Sequence, residues 1–241
     1  MSEPQTVTIL QLYPKDMNIY GDWGNTLTLK RRLEWRGYRV QILNYNVGDV
    51  FPSTIDVIVG GGGQDSGQTA IQTDLMKIAD QLKRLASEGM PMLVICGLYQ
   101  MFGHRFITTT GNEIRGIGLL DLETRAGTSR LIGNVTTDSP DFGPIVGYEN
   151  HSGQTSLGPT VEPLAQVRLG AGNNEQDGHE GARYNNVIGS YLHGSLLPKN
   201  PRIADWLIEQ ALLRKYGTVT LRPIDDSLAD QARAAAQKRP R

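Results

Sequence analysis

The sole cysteine of the chain, Cys96, follows directly on the apolar run Met92–Ile95 and precedes Gly97. Such a run predicts a buried strand, and Gly97 permits a tight turn from this strand into a helix. In α/β proteins, sites form at the carboxyl ends of strands. A thiol there, at a helix N-terminus, is activated and lies beside N–H groups that can stabilise an oxyanion. The position indicates either a nucleophile or an inert cysteine, since free cysteines are often buried.

A nucleophilic thiol needs a base, and the chain contains four histidines. His193 follows the mostly apolar residues 188–192 at another predicted strand end, which is where a base facing Cys96 would lie. His151 ends a polar cluster, and both a site role and a hydrogen-bonded structural role stay open for it. His104 is interpreted as a surface or capping residue, and His179 as a solvated loop residue.

Four consecutive glycines, residues 60–63, end a third predicted strand at residues 56–59. A phosphate-binding loop is one interpretation, but no Lys-Ser or Lys-Thr pair follows and the dinucleotide-binding spacing is not met. A second interpretation is a backbone N–H donor beside a developing oxyanion. A flexible turn remains the third.

The elements that position these residues alternate between strand and helix in the first half of the chain. Strands are predicted at 6–12, 38–43, 56–59 and 92–95, and helices at 26–36, 71–85 and from residue 97. The second helix is the clearest, because Ile71, Leu75, Ile78, Leu82 and Leu85 recur at spacings of four and three and share one face. This alternation predicts a parallel sheet with right-handed crossovers.

From residue 116 onward, short β runs alternate with Gly, Asn, Ser and Thr, at 117–123, 131–137, 145–148, 167–170 and 187–192. A final helix is predicted from Pro201 to a stop at Gly217. We therefore predict one domain over residues 1–222, with a central, mostly parallel sheet and β-rich extensions. Residues 223–241 are predicted to form a polar C-terminal tail, either a frayed helix or a mobile segment.

Composition excludes several classes of protein. The chain has 241 residues, 39% of them hydrophobic and 20% charged, with a net charge of −1, so there is no electrostatic case for nucleic acid or an acidic membrane. No secretion signal precedes the first strand, and the longest apolar run is too short to span a bilayer. One cysteine cannot form an internal disulfide, which favours a cytoplasmic location.

Six short motifs together resemble a known family. They are NIYGDWGN at 18–25, GGGQD at 61–65, ICGLYQ at 95–100, SRL at 129–131, GYENH at 147–151 and YLHGSLLPKN at 191–200. The chain resembles the class I glutamine amidotransferases, in the branch similar to cobyric acid synthase. Within that branch it is most similar to the GatD-type glutaminase subunits of lipid II isoglutaminyl synthase. The resemblance implies a three-layer α/β fold.

The resemblance also implies a mechanism. Cys96 would attack the side-chain amide of glutamine, with His193 as the base that takes the thiol proton. Backbone N–H groups of Gly97 and of Gly62 or Gly63 would hold the oxyanion. Hydrolysis of the resulting thioester would release glutamate, and no cofactor or metal is implied.

Three further residues are assigned to the substrate pocket. Arg130 is suited to the α-carboxylate of glutamine, because a guanidinium binds a carboxylate through two parallel hydrogen bonds. Without the resemblance, a surface arginine is an equally good interpretation. Gln100 and Tyr99 are expected to line the same pocket.

One departure from the family pattern concerns the orienting acid. Many class I glutaminases carry glutamate two residues after the histidine, and Ser195 occupies that position here. The site is therefore either a Cys–His dyad or uses a carboxylate from elsewhere. Glu149 and Asp65 are candidates within the chain, and a carboxylate from a partner is a further hypothesis.

The chain has no GxxxxGK[ST] nucleotide loop, so an ATP-dependent ligation would lie on another chain. The resemblance implies a Mur-ligase-like (MurT-type) partner that receives ammonia and amidates the D-glutamate of lipid II, a peptidoglycan precursor. Two alternatives stay open, a glutaminase that serves a different synthetase and a non-catalytic binding module of the same fold.

Overall fold

The computed structural model describes residues 5–240. The first half contains β1 (Thr6–Leu12), α1 (Trp23–Trp35), β2 (Arg39–Tyr45), β3 (Val57–Gly60), α2 (Asp65–Lys77), α3 (Ala79–Ser87), β4 (Met92–Ile95) and α4 (Gly97–Phe102). The rest contains β5 (Arg105–Ile107), β6 (Glu113–Arg115), β7 (Leu122–Ser139), β8 (Gly143–Leu157), β9 (Ala165–Leu169), β10 (His179–Glu180), β11 (Ala182–Tyr184), β12 (Val187–Ser190), α5 (Leu196–Lys199), α6 (Pro201–Tyr216) and α7 (Ser227–Gln237).

The first sheet has the strand order β11-β12-β4-β3-β1-β2. All its neighbouring strands are parallel except β11, which runs antiparallel to β12. The chain moves outward from β1 to β2 through α1, then in the opposite direction from β3 to β4 through α2 and α3. Right-handed crossovers in opposite directions place these helices on opposite faces of the sheet. The result is the predicted three-layer α/β architecture.

The reversal between β1 and β3 creates a topological switch point. Ligands of open α/β sheets bind in the crevice at the carboxyl ends of strands at such a point. The segments that follow β1, β3, β4 and β12 therefore meet at one edge of the sheet. Strands β3, β4 and β12 are fully buried. Burial on both faces explains why their sequences are nearly continuous apolar runs.

The second sheet forms the β-rich extension. Its order is β10-β9-β7-β5-β6, with β8 also paired to β7. The antiparallel β7–β8 hairpin dominates it and shifts register between Ala126 and Leu131. The short predicted runs at 131–137 and 145–148 belong to these two long strands. Strand β12, from the second half of the chain, joins the first sheet and completes it.

Two predicted elements differ from the structure. The helix predicted at 71–85 is two helices, α2 and α3, which meet at Ile78 and keep their apolar residues on the core side. The strand predicted to begin at Ile117 is wrong before Leu122, because the N–H groups of Ile117 and Leu120 donate to carbonyls of Met101 and Phe102 instead. Apolar residues alone did not distinguish a strand from a loop packed beneath a helix.

The C-terminal segment, from residue 223 onward, contacts the rest of the domain through Asp226 near its start. The buried guanidinium of Arg32 contacts Asp205 at 2.7 Å and Asp226 at 2.6 Å, so it ties α1 to α6 and to the residue before α7. Helix α7 buries none of its residues, which agrees with its polar sequence. The boundary between residues 222 and 223 stays a prediction. No helix within residues 5–240 is long and apolar enough to cross a membrane.

Candidate active site

Cys96 lies at the turn from β4 into α4 with an unusual backbone conformation. Its φ is 49° and its ψ −105°, a combination that costs a non-glycine residue about 1–3 kcal/mol. The backbone is held on both sides, because the Cys96 N–H donates to the Ser190 carbonyl at 2.8 Å and the Gln100 N–H donates to the Cys96 carbonyl at 2.9 Å. The side chain is buried but reaches the wall of a cavity. This strained strand-to-helix turn is the arrangement predicted for a nucleophile.

His193 follows β12, the strand beside β4. Its backbone forms two hydrogen bonds with Tyr148 of β8, at 2.8 and 3.3 Å, which join the two sheets at the site. The ring of Tyr20 packs on the imidazole with centroids 4.4 Å apart. The His193 side chain is almost fully buried, so both its orientation and its surroundings are fixed.

Asp22 is the residue that the sequence analysis did not identify as part of the site. Its Oδ2 lies 3.3 Å from Nδ1 of His193, and the same oxygen accepts the Gly62 N–H at 2.8 Å. The carboxylate is 1% exposed and belongs to the segment between β1 and α1. The spacing of apolar residues gave no signal for it, although it lies in the NIYGDWGN motif. Cys96, His193 and Asp22 therefore converge from three separate strand ends.

The two predicted acids have other surroundings. Glu149 of β8 is buried and accepts the N–H groups of Ala171 and Gly172. Asp65 is exposed in the first turn of α2. Ser195 donates to the carbonyl of Gly21 at 3.0 Å, which ties the loop after His193 to the residue before Asp22. The serine thus fixes the segment that carries the acid, and the acid facing His193 comes from this chain.

Electrostatics favour a protonated imidazole at this position. Burial opposes a charge on His193, but attraction to Cys96 and hydrogen bonds with Asp22 and Cys96 outweigh it and raise the pKa of His193 to about 10. The imidazole therefore holds a proton that it can deliver to a leaving group beside Cys96.

The glycines pack tightly around this centre. A β-carbon on Gly62 would lie 2.8 Å from Cε1 of His193 and 3.1 Å from Cβ of Cys96. A β-carbon on Gly97 would lie 2.9 Å from the backbone nitrogen of Gly63. Only glycine permits these close approaches. Because the Gly62 N–H is already bonded to Asp22, the N–H groups of Gly63 and Gly97 are the remaining oxyanion donors of the predicted set.

A cavity of about 340 Å³ opens beside Cys96, a size suited to a small ligand. Its lining residues are Tyr20, Gly63, Gln64, Asp65, Ser66, Cys96, Gln100, Phe106, Thr109, Arg130, Asn150, His151 and Ser152. The predicted residues Arg130 and Gln100 are among them. Tyr99 is not, and its predicted place in the pocket is wrong. Its ring is fully buried, and its hydroxyl donates to Asn173 at 3.2 Å.

Arg130 is held at the mouth of this cavity. Its Nε donates to Oδ1 of Asn150 at 2.7 Å, and its Nη2 donates to the hydroxyl of Tyr20 at 2.9 Å. Its Nη1 donates to no described residue. The guanidinium is therefore oriented by two cavity residues, with donor capacity left for an anionic group.

Gln100 lies in the wall near the nucleophile. Its Oε1 accepts from Gln68 at 2.7 Å, and its Nε2 donates to the Tyr191 hydroxyl at 3.0 Å. Both ends of the amide are thus engaged within the protein. Gln100 shapes the wall, and its polar atoms are already satisfied.

The other three histidines have separate environments. His104 is exposed and lies 3.0 Å from Asp121, as a surface histidine would. His179 is partly exposed near Asp177. His151 is buried and lines the cavity. Within residues 5–240, no group of three or more His, Cys, Asp or Glu side chains could hold a metal ion.

The fold and site together define a class of protein. A cysteine at a strained strand-to-helix turn, a histidine and a buried aspartate lie together at the carboxyl edge of a parallel sheet, and these are residue types that thiol-dependent amide hydrolases use. Residues 8–201 match the CobB/CobQ-like glutamine amidotransferase domain. The chain belongs to this family of glutamine amidotransferases.

Individual relatives agree with this membership. The chain is 39% identical over 228 residues to the lipid II isoglutaminyl synthase (glutamine-hydrolyzing) subunit GatD of Staphylococcus aureus, covering 94% of this chain and 93% of that protein. It is 36% identical over 231 residues to the subunit of the same name from Streptococcus pneumoniae, and the match covers 95% of this chain and 89% of that protein. A glutamine amidotransferase structure from Thermotoga maritima has the same fold, with a TM-score of 0.56 at 14% identity, covering 96% of this chain and 93% of that one.

Proposed function

We propose that this chain is the glutaminase subunit of a lipid II isoglutaminyl synthase. It hydrolyses L-glutamine to glutamate and ammonia and supplies the ammonia to a Mur-ligase-like (MurT-type) partner. The observation that carries the hydrolytic part is the convergence of Cys96, His193 and Asp22 beside a cavity that also contains Arg130. The similarity over nearly the full length of two GatD subunits supports the biological role.

The first half of the reaction acylates the cysteine. The Cys96 sulfur attacks the side-chain carbonyl carbon of glutamine, and a tetrahedral intermediate with a negative oxygen forms. The N–H groups of Gly97 and Gly63 stabilise this oxygen, and removing one such donor typically lowers kcat by about 10²–10³-fold. The C–N bond then breaks, His193 gives its proton to the leaving nitrogen, and ammonia departs.

The second half regenerates the enzyme. Water attacks the thioester carbonyl, and His193 takes a proton from this water. The C–S bond breaks, glutamate leaves, and the sulfur and imidazole return to their starting states. Asp22 keeps the imidazole in one tautomer and stabilises its cation throughout, as the third member of such a triad does.

Arg130 is proposed to bind the α-carboxylate of glutamine. Its guanidinium is oriented by Asn150 and Tyr20 before any ligand arrives, so little side-chain freedom is lost on binding. A charge-assisted hydrogen bond of this kind contributes about 1.5–3 kcal/mol. The substrate would then lie with its amide toward Cys96 and its amino-acid end toward Arg130.

Release of ammonia from L-glutamine tests the hydrolytic part of the proposal. The purified chain, alone and mixed with a co-purified partner, is assayed for glutamate formation with Cys96→Ala as the matched control. We expect glutamate from the wild type and none from the variant. A folded wild-type protein with no turnover in either state would favour a binding module instead.

The acceptor is tested by the identity of the partner. We expect the protein that co-purifies with this chain to be a Mur-ligase-like, ATP-dependent enzyme, and the pair to convert the D-glutamate of lipid II to its amide in the cytoplasm. Co-purification of a synthetase of another type would leave the proposed glutaminase activity intact. It would contradict the proposed acceptor, the D-glutamate of lipid II.

A further inference from the structure

Tyr20 contacts two separate parts of the candidate active site. Its ring packs on the imidazole of His193 with centroids 4.4 Å apart and an angle of 57° between the planes. Its hydroxyl accepts a hydrogen bond from Nη2 of Arg130 at 2.9 Å. The side chain also lines the cavity beside Cys96. One side chain therefore contacts the proposed base and the proposed carboxylate-binding residue at the same time.

The hydrogen bonds of His193 do not hold its ring throughout the proposed reaction. Rotation of an imidazole about its Cβ–Cγ bond is only weakly restricted, so backbone geometry does not fix the plane of the ring. Asp22 lies 3.3 Å from Nδ1, and Cys96 is the second hydrogen-bond partner of the imidazole. The link to Cys96 is given up when His193 gives its proton to the leaving nitrogen. At that stage the contact with Tyr20 supplements the remaining link to Asp22.

Tyr20 is itself held by the residues on either side of it. The Ile19 N–H donates to the Gly62 carbonyl at 3.1 Å, and the Ser195 hydroxyl donates to the Gly21 carbonyl at 3.0 Å. The hydrogen bond at the phenolic oxygen holds the far end of the side chain. A side chain that is fixed at its backbone and at its tip can keep a neighbouring ring in one orientation.

We propose that Tyr20 is a positioning residue that acts through His193 as well as through Arg130. Its ring keeps the imidazole directed at the leaving nitrogen of glutamine, and its hydroxyl keeps the guanidinium directed at the α-carboxylate. Substrate binding and proton transfer are thereby coupled through one side chain. The two actions belong to different atoms of that side chain, so substitutions can separate them. This inference rests on the proposed glutaminase function.

Two substitutions separate the ring from the hydroxyl, with glutamate release by the full chain and its co-purified partner as the measurement. Tyr20→Phe keeps the ring, so kcat should stay near the wild-type value while KM rises. Tyr20→Leu removes the ring as well, and kcat should fall by roughly 10- to 100-fold, because a misplacement of about 1 Å can cost about 10²-fold in rate. Tyr184→Leu is the matched control. It makes the same chemical change at a partly exposed position of β11 that does not line the cavity, and it should retain wild-type kinetics.

A spectroscopic measurement tests the contact between the two rings without glutamine. The ring ¹H–¹⁵N correlations of His193 are recorded by NMR for the full chain and identified by their loss in His193→Gln. We expect one sharp set of His193 signals in wild type and in Tyr20→Phe. Tyr20→Leu should broaden or split this set, because a ring that exchanges between orientations on the μs–ms timescale changes its signals. A role of Tyr20 confined to folding would leave these signals unchanged in folded protein.

Controls separate the possible failures. Thermal melts identify the folded variants, and Tyr20→Met is the second apolar variant if Tyr20→Leu does not fold. Wild-type kcat in a folded variant without the ring would overturn the inference, and so would an equal loss of kcat in Tyr20→Phe. Unchanged His193 signals in the variant without the ring would overturn it as well. If the wild-type complex released no glutamate, the proposed function would fail, and the His193 signals would still decide whether Tyr20 holds the imidazole.

Discussion

Oδ2 of Asp22 lies 3.3 Å from Nδ1 of His193, although 171 positions separate the two residues in the chain. The same oxygen accepts the Gly62 N–H at 2.8 Å. One carboxylate therefore connects the ends of β1, β3 and β12 at the switch point of the sheet. Both side chains are buried, so solvent screens their attraction little. Asp22 is therefore the carboxylate of this chain that faces His193, and the prediction below tests whether it is the orienting acid.

We predict that Asp22→Asn lowers kcat for glutamine hydrolysis by about 10²–10⁴-fold with little change in KM. The amide no longer stabilises the imidazolium and can hold the wrong tautomer, which is the reason such changes are severe in other triads. Steady-state kinetics on the purified chain measure this, with Asp65→Asn as the control that should stay near wild type. Wild-type turnover in Asp22→Asn would show that Asp22 is not the orienting acid and would favour a carboxylate from a partner.

A second prediction separates chemistry from backbone strain at Cys96. Both Cys96→Ala and Cys96→Gly should abolish glutamate release, because both remove the nucleophile. At a φ of 49° glycine is free of the β-carbon penalty, which is about 1–2 kcal/mol. This gain offsets or exceeds the roughly 0.5–1 kcal/mol that glycine normally costs. Thermal melts should therefore show Cys96→Gly as stable as Cys96→Ala or more so, and a clearly lower melting temperature for Cys96→Gly would contradict the strain.

The pH dependence of stability should report the raised pKa of His193. Histidine titrates near 6.5 when unfolded, and attraction to Cys96 and Asp22 raises its pKa to about 10 against the effect of burial. Its contribution is fully present below about pH 6.5 and is lost as the pH rises through about 10. Urea titrations at about pH 6, 8 and 10 should show the difference in unfolding free energy between wild type and His193→Gln narrowing with pH.

A background variant identifies the cause of this effect. In Cys96→Ala protein the attraction and the hydrogen bond between Cys96 and the imidazole are absent, so His193→Gln should change stability with a weaker dependence on pH. An equal dependence in the two backgrounds would show that Cys96 does not act on the imidazole. A difference that widens with rising pH would contradict the raised pKa itself.

The sequence predicted those parts of the site that follow regular elements. Cys96 and His193 each end an apolar run, and apolar runs identify central strands because burial on both faces leaves little choice of residue. The order of strands and helices likewise predicted the parallel sheet. The order of the strands in the sheet, and thus which ends are neighbours, depends on tertiary packing that the apolar pattern does not encode.

Asp22 and Tyr99 illustrate what the pattern could not provide. Asp22 lies in an irregular segment, where neither a period of two nor one of 3.6 indicates the direction of a side chain. Tyr99 is only three residues from Cys96, yet its ring packs against Gly189 in the core. Cys96 precedes the helix with a non-helical backbone, so helical spacing does not relate the directions of the two side chains. The two acids predicted as candidates, Glu149 and Asp65, likewise lie far from His193 in the sequence, and nothing in the spacing distinguishes Asp22 from them.

We predict that Gly62→Ala eliminates most activity. Its β-carbon would lie 2.8 Å from Cε1 of His193, so the imidazole or the glycine segment must move. A misplacement of about 1 Å can cost about 10²-fold in rate. The control is Gly111→Ala, which has a φ of 82° and open space around its β-carbon. It should lose about 1–2 kcal/mol of stability and retain full turnover, and equal activity in the two variants would contradict the close packing.

The last prediction concerns Arg130 and the binding of glutamine. Arg130→Ala should raise KM by roughly one to two decades while kcat changes less, because a charge-assisted pair with a carboxylate contributes about 1.5–3 kcal/mol. Arg130→Lys should recover only part of this loss, since an ammonium group lacks the planar fork that Asn150 and Tyr20 orient. Tyr20→Phe removes one of these supports and should raise KM by a smaller factor. Initial rates at varied glutamine concentration measure all three. A fall in kcat at constant KM would assign Arg130 to the reacting end of the substrate instead, and unchanged kinetics would remove it from the site.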